Sequence, residues 1–163
     1  NPNIQFLGMT HTMTFWSQVI DERMFKIWTL NVALGTHGGG WVLWQEVAFN
    51  QTHGQSYFMG EATRLINDFE EYFKKSRHIE TKFHQQGLTG KANELIALEG
   101  PDGKDALVLL FNQSDKPAEV TVTVKDRAAA WNTAQHWEGK KFNDATKLTI
   151  IVPAKDVVAL HYR

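Results

Sequence analysis

Residues able to do chemistry gather near the ends of apolar runs. Glu46 lies in the run 41–49 (WVLWQEVAF). A carboxylate at a strand end can hydrogen-bond a sugar hydroxyl or serve as an acid, the plainer alternative being a strand-end side chain partly in water. Trp41 and Trp44 are three apart, so on a strand they point to opposite faces. Either both are core, as tryptophans mostly are, or one lays its indole against the apolar face of a pyranose ring. Trp131 and Trp137, within WNTAQHWEGK, read either as a glycan platform or as packing between sheets. Of the seven histidines, three follow threonine near predicted strand ends or loops: His11, His37 and His53. None has an HExxH or i, i+4 partner, so no metal site is expected. His11 and His53 suit recognition of sugar hydroxyls instead.

Other chemistry is excluded by what is missing. The run GTHGGG lacks the Lys-Ser/Thr of a phosphate-binding loop and ends a helix rather than opening one. There is no Gly-x-Ser-x-Gly elbow. With no cysteine, thiolate zinc ribbons, iron–sulfur ligation, disulfide frameworks and cysteine nucleophiles are all excluded, though export is not. No cofactor is implied. Asn50-Gln51-Thr52 and Asn112-Gln113-Ser114 match the glycosylation sequon, which is a weak three-residue pattern.

The elements that would position these residues change character along the chain. Residues 4–9 (IQFLGM) and 41–49 are apolar runs that read as strands buried on both faces. Between them, Asp21 offers an N-cap, and Met24, Ile27, Trp28, Asn31 and Leu34 fall at helical spacing before Gly35, predicting a helix over 22–34. Residues 50–56 read as a polar loop. After Gly60 an amphipathic helix runs through Leu65, Ile66, Phe69, Tyr72 and Phe73. Strand, helix, strand, helix implies a parallel sheet with crossover helices. From about residue 90 the period becomes alternating, with strands expected at 94–99, 106–111, 119–124, 147–152 and 157–162, and a tight turn at 101–104. That spacing without helices indicates an antiparallel sandwich. The joint is placed near 84–92 (HQQGLTGKA).

A helix ending in VALGTHG, a glycine step, WVLWQE, a loop and the helix EATRLINDFEEYFKK lead into ALVLLFNQSDKPAEVTVTV, HWEGKKF and IIVPAKDVVALHYR. In this order the segments resemble the C-terminal end of a glycoside hydrolase over most of the chain. The resemblance implies a (β/α)8 catalytic barrel followed by a C-terminal β-sandwich. The expected fold is therefore α+β: terminal strand–helix units of an α/β barrel over 1–84, then an antiparallel β-sandwich over 92–163. It also implies catalytic carboxylates at the ends of the fourth and seventh barrel strands. The fourth has no counterpart, and the matching seventh, IQFLGMTHT, ends in Met9, Thr10, His11 and Thr12 without Asp or Glu. A whole barrel takes about 250 residues, and hydrolysis needs two carboxylates about 5 to 9 Å apart. Within the barrel portion, 1–84, Glu46 is the only carboxylate in a predicted strand. The isolated chain is expected to be inactive, and its partner is expected to be a carbohydrate, which favours a secreted or periplasmic setting.

Charge argues in the same direction. A net charge of −1 offers no field for a nucleic-acid backbone or a membrane surface. No apolar run reaches the roughly 18 to 20 residues of a bilayer span, and Asn1-Pro2-Asn3 lacks the character of a signal peptide. Residues 1–60 carry only five charged side chains (Asp21, Glu22, Arg23, Lys26, Glu46) yet 10 of the 19 aromatics. An ordinary surface is about a quarter to a third charged, so this segment expects to be covered. Another polypeptide, either the rest of an enzyme or a second copy, would pack against Phe6, Phe15, Trp16, Trp28 and Trp41. The alternative is a free-standing carbohydrate-binding module binding through aromatic residues, in which HTMTFW and KIWTLNVAL are strands of period two.

Overall fold

The structure, a computed structural model, describes residues 8–11, 21–37, 41–44, 53–89, 94–125 and 131–163, with 8–11 and 41–44 described by their backbone. Two compact units divide between Lys74 and Lys75.

In the first unit, β1 (Gly8–His11) and β2 (Trp41–Trp44) pair in parallel, Gly8 opposite Trp41 and His11 opposite Trp44. Parallel neighbours need a crossover, and α1 (Met24–Gly35) lies between them in the chain. The period-two reading of KIWTLNVAL is not realised. Residues 4–7 and 45–49 of the two expected strands, with Phe6, Phe15 and Trp16, lie outside the described residues. Asp21 does not cap the helix itself: its carboxylate accepts the Arg23 N–H at 3.0 Å and so fixes the turn just before Met24.

The buried stripe of α1 also differs from the expected one. Phe25, Ile27, Leu30 and Ala33 are buried, while Trp28 and Leu34 are half-buried and Asn31 is exposed. Apolar residues surround this helix almost completely, so periodicity alone does not select a face. Lys26 is buried as well, its Nζ 3.5 Å from Glu61 Oε2.

α2 (His53–Asp68) starts inside the segment expected to be a loop. The residues there are polar, but the Glu22 carboxylate packs against the first turn. A Cβ at Gly54 would lie 1.6 Å from Glu22 Oε2, so glycine admits a carboxylate where the helix dipole favours one. Beyond Phe69 the chain continues as α3 (Glu70–Lys75), and Leu65, Phe69, Tyr72 and Phe73 are buried as the amphipathic pattern requires. Ile66 is half-buried.

The second unit pairs eight strands into two antiparallel sheets. They are β3 (Phe83–Gln86), β4 (Glu94–Glu99), β5 (Ala106–Asn112), β6 (Ala118–Val124), β7 (Ala134–His136), β8 (Lys141–Phe142), β9 (Lys147–Val152) and β10 (Asp156–Tyr162). One sheet runs β4-β5-β10-β7-β8 and the other β3-β6-β9. Phe83, Val120, Val122, Leu148 and Val152 of the smaller sheet share one core cluster with Ala97, Val108, Leu110, Val158, Leu160 and Tyr162 of the larger. The fold is thus α+β, a strand–helix portion followed by a β-sandwich. The expected extents were 1–84 and 92–163, whereas the compact units are Asn1–Lys74 and Lys75–Arg163. β3 joins the sandwich through its ladder to β6, Phe83 opposite Val124. Gly87 closes that strand at φ 119, where a Cβ would meet the Glu119 carbonyl oxygen at 2.0 Å.

Candidate functional site

In open parallel sheets, ligands gather outside the carboxyl ends of the strands, where the chain leaves for the next helix. His11 and Trp44 end β1 and β2 and are direct register partners, although 33 positions separate them in sequence. The sheet therefore sets an imidazole-bearing and an indole-bearing residue side by side at that end. Trp41 stands at the opposite end of β2, opposite Gly8, about 10 Å along the strand from Trp44. His53 is the first residue of α2, which follows β2, and it is exposed. Glu46 lies outside the described residues.

The second tryptophan group divides. Trp131 is only 5% exposed, lies parallel to Phe83 (ring centroids 5.2 Å apart, planes 8° apart) and meets the Tyr162 ring edge-on. Its Nε1–H donates to the Lys104 carbonyl at 2.9 Å. One face is taken by another ring and its one polar atom is bonded, so Trp131 is packing between the sheets and not a platform. Trp137 is half-buried in the turn between β7 and β8, its backbone N–H donating to the Ala159 carbonyl at 3.0 Å. The sequon at Asn112 is likewise internal, because the side chain is fully buried with its amide nitrogen engaged. The Asn50 sequon lies outside the described residues.

One titratable cluster escaped the sequence reading. Arg163 Nε–H donates to His161 Nδ1 at 3.2 Å, which leaves the proton of a neutral imidazole on Nε2, 3.1 Å from Asp105 Oδ2. Burial, outweighing the adjacent carboxylate, holds the His161 pKa below its ordinary 6.5. A base with a depressed folded pKa contributes stability that is complete above the unfolded value, here 6.5, and is lost as pH falls through the folded one. Urea midpoints should therefore drop between about pH 7.5 and about pH 5, and a His161→Gln variant should drop by less. Equal drops would remove His161 from the explanation. Among the described residues no group of three or more His, Asp or Glu could hold a metal ion, and no helix is long and apolar enough to cross a membrane.

The fold is similar to that of solved structures. It is shared with a glycoside hydrolase. The crystal structure of an α-amylase from Geobacillus thermoleovorans, complexed with acarbose, superimposes with a TM-score of 0.59 at 9% identity, covering 88% of this chain and 34% of that one. A protein named as an α-N-acetylgalactosaminidase from Bacillus halodurans C-125 gives a TM-score of 0.46 at 16% identity, covering 90% and 33%. This chain thus spans about a third of each. No protein-family model and no curated protein sequence matches it.

Proposed function

We propose that this chain is a portion of a glycoside hydrolase acting on O-glycosidic bonds, with its catalytic carboxylate pair not complete within these residues. The observation that supports this reading is the α-amylase fold shared over 88% of the chain but only 34% of the enzyme. Hydrolysis takes one carboxylic acid to protonate the leaving oxygen and a second carboxylate to attack or to activate water. Glu46, two residues beyond the end of β2, is the candidate for one of these. His11, Trp44 and His53 belong to the same reading as sugar-contacting residues, the indole stacking on a ring and the imidazoles bonding hydroxyls. Trp41, at the other end of β2, has less claim to that role.

A panel of aryl glycosides tests the proposal. The 163-residue chain should give no turnover, while a longer polypeptide with further strand–helix repeats upstream should turn over at least one substrate. Turnover by the isolated chain that Glu46→Gln abolishes would show that the pair is complete here. An upstream extension inactive on every substrate would count against the hydrolase reading itself. The same reading has the charge-poor residues 1–60 covered by another polypeptide, and light scattering across a concentration series should report a mass above that of one chain.

A further inference from the structure

The sandwich carries an open groove of about 610 Å³ between the edge of the smaller sheet and the β7–β8 hairpin. Glu119, Thr149 and Ile151 line it from β6 and β9, and His136, Glu138 and Lys140 line it from the hairpin. We propose that this groove binds a segment of a neutral oligosaccharide. The inference rests on the carbohydrate reading above and deepens it by naming a place.

The walls are fixed before any ligand arrives. In the hairpin, His136 N–H donates to Lys140 O at 2.7 Å, Gly139 N–H donates to His136 O at 2.8 Å, and Trp137 N–H ties the turn to β10. Across the groove, Glu119 and Ile151 are register partners, and the Thr121 and Thr149 hydroxyls are 3.0 Å apart. A site carried on paired strands loses little freedom when it binds.

The chemistry selects the ligand class. Ile151, 55% exposed, is one of two large apolar side chains exposed among the described residues, and it offers an aliphatic surface to the C–H face of a sugar ring. Two carboxylates flank it, Glu119 and Glu138, and neither is in an ion pair within the described structure. Carboxylates accept from sugar hydroxyls, and the Lys140 ammonium donates to hydroxyl oxygens. His136 is held in the groove wall by its Nδ1, which accepts the Glu138 N–H at 3.0 Å. A polyanion would meet Glu119 and Glu138, and a polycation would meet Lys140. A neutral polyol can satisfy acceptors and donors together, and the volume lies within the range of ordinary ligand pockets, about 300 to 1,000 Å³.

Amide chemical shifts of the whole 163-residue chain can be followed while neutral oligosaccharides of glucose, galactose and N-acetylhexosamine are added, with hexuronate oligosaccharides as the charged control. At least one neutral sugar should perturb residues 136–140 and 149–151, and Ile151→Ala and Glu138→Ala should each weaken its affinity at least fivefold. Both side chains are exposed, and the spectrum of each variant reports its fold directly. Unchanged affinity in both variants overturns the proposal, as does a stronger response to the hexuronates or no perturbation of the groove by any neutral sugar. Perturbation confined to residues 8–74 overturns the groove while leaving the glycoside hydrolase reading intact. Loss of turnover in the longer polypeptide test would do the reverse.

Discussion

Asn112→Ala is expected to lower the unfolding free energy by about 3 to 5 kcal/mol, read from urea denaturation. Asn112 ends β5 with no exposed surface. Its amide nitrogen donates toward the carbonyls of Lys116 (2.9 Å), Val152 (3.2 Å) and Pro153 (2.9 Å), and its oxygen accepts the Ser114 N–H at 3.1 Å. One side chain therefore ties the end of a strand in the larger sheet to the loop after it and to the end of β9 in the smaller sheet. Removing it strands several buried backbone groups, each costing about 1 to 3 kcal/mol when left unpaired, in part relieved by water entering the gap. Asn112→Asp keeps the shape but directs a carboxylate at three carbonyl oxygens. It should destabilise at least as much at neutral pH and recover partly as the pH falls and the carboxyl protonates, because its folded pKa is raised. If both variants stay within about 1 kcal/mol of the parent chain, the account of this junction is wrong.

The sequence made the long, strictly patterned elements legible. β4 and β9 occupy the expected spans 94–99 and 147–152, because ELIALE and KLTIIV are apolar runs bounded by polar turns. β5, β6 and β10 extend their predictions by one residue each. β3, β7 and β8 were not legible: FHQQ, AQH and KF are too short or too polar to carry a period, and they are strands only because β6, β10 and β7 respectively offer them ladders. The early start of α2 has the same kind of cause, since the Glu22 carboxylate that meets its first turn is some thirty residues away in the chain. The candidate site follows this pattern. His11 and Trp44 could be chosen singly by residue type, but only the parallel register makes them neighbours. No composition argument brings Glu119 to the same groove as Glu138 and Lys140.

From sequence Trp131 is equally a core residue or a glycan platform, and its substitution separates the two by the size and kind of effect. As a core residue, Trp131→Ala removes a ring stacked on Phe83 and edge-on to Tyr162, and it leaves the Lys104 carbonyl without the indole N–H. Large-to-small changes at such sites cost about 3 to 5 kcal/mol. Trp131→Phe keeps a ring against Phe83 and loses mainly the hydrogen bond and some volume, so its cost should be about 1 to 2 kcal/mol. The graded order, alanine well below phenylalanine and phenylalanine below tryptophan in urea midpoint, is the signature of packing. A glycan platform would give the opposite result, with both variants as stable as the parent and sugar affinity lost in the alanine variant. The geometry favours the graded order, because a ring that is 5% exposed has no face left to offer a sugar.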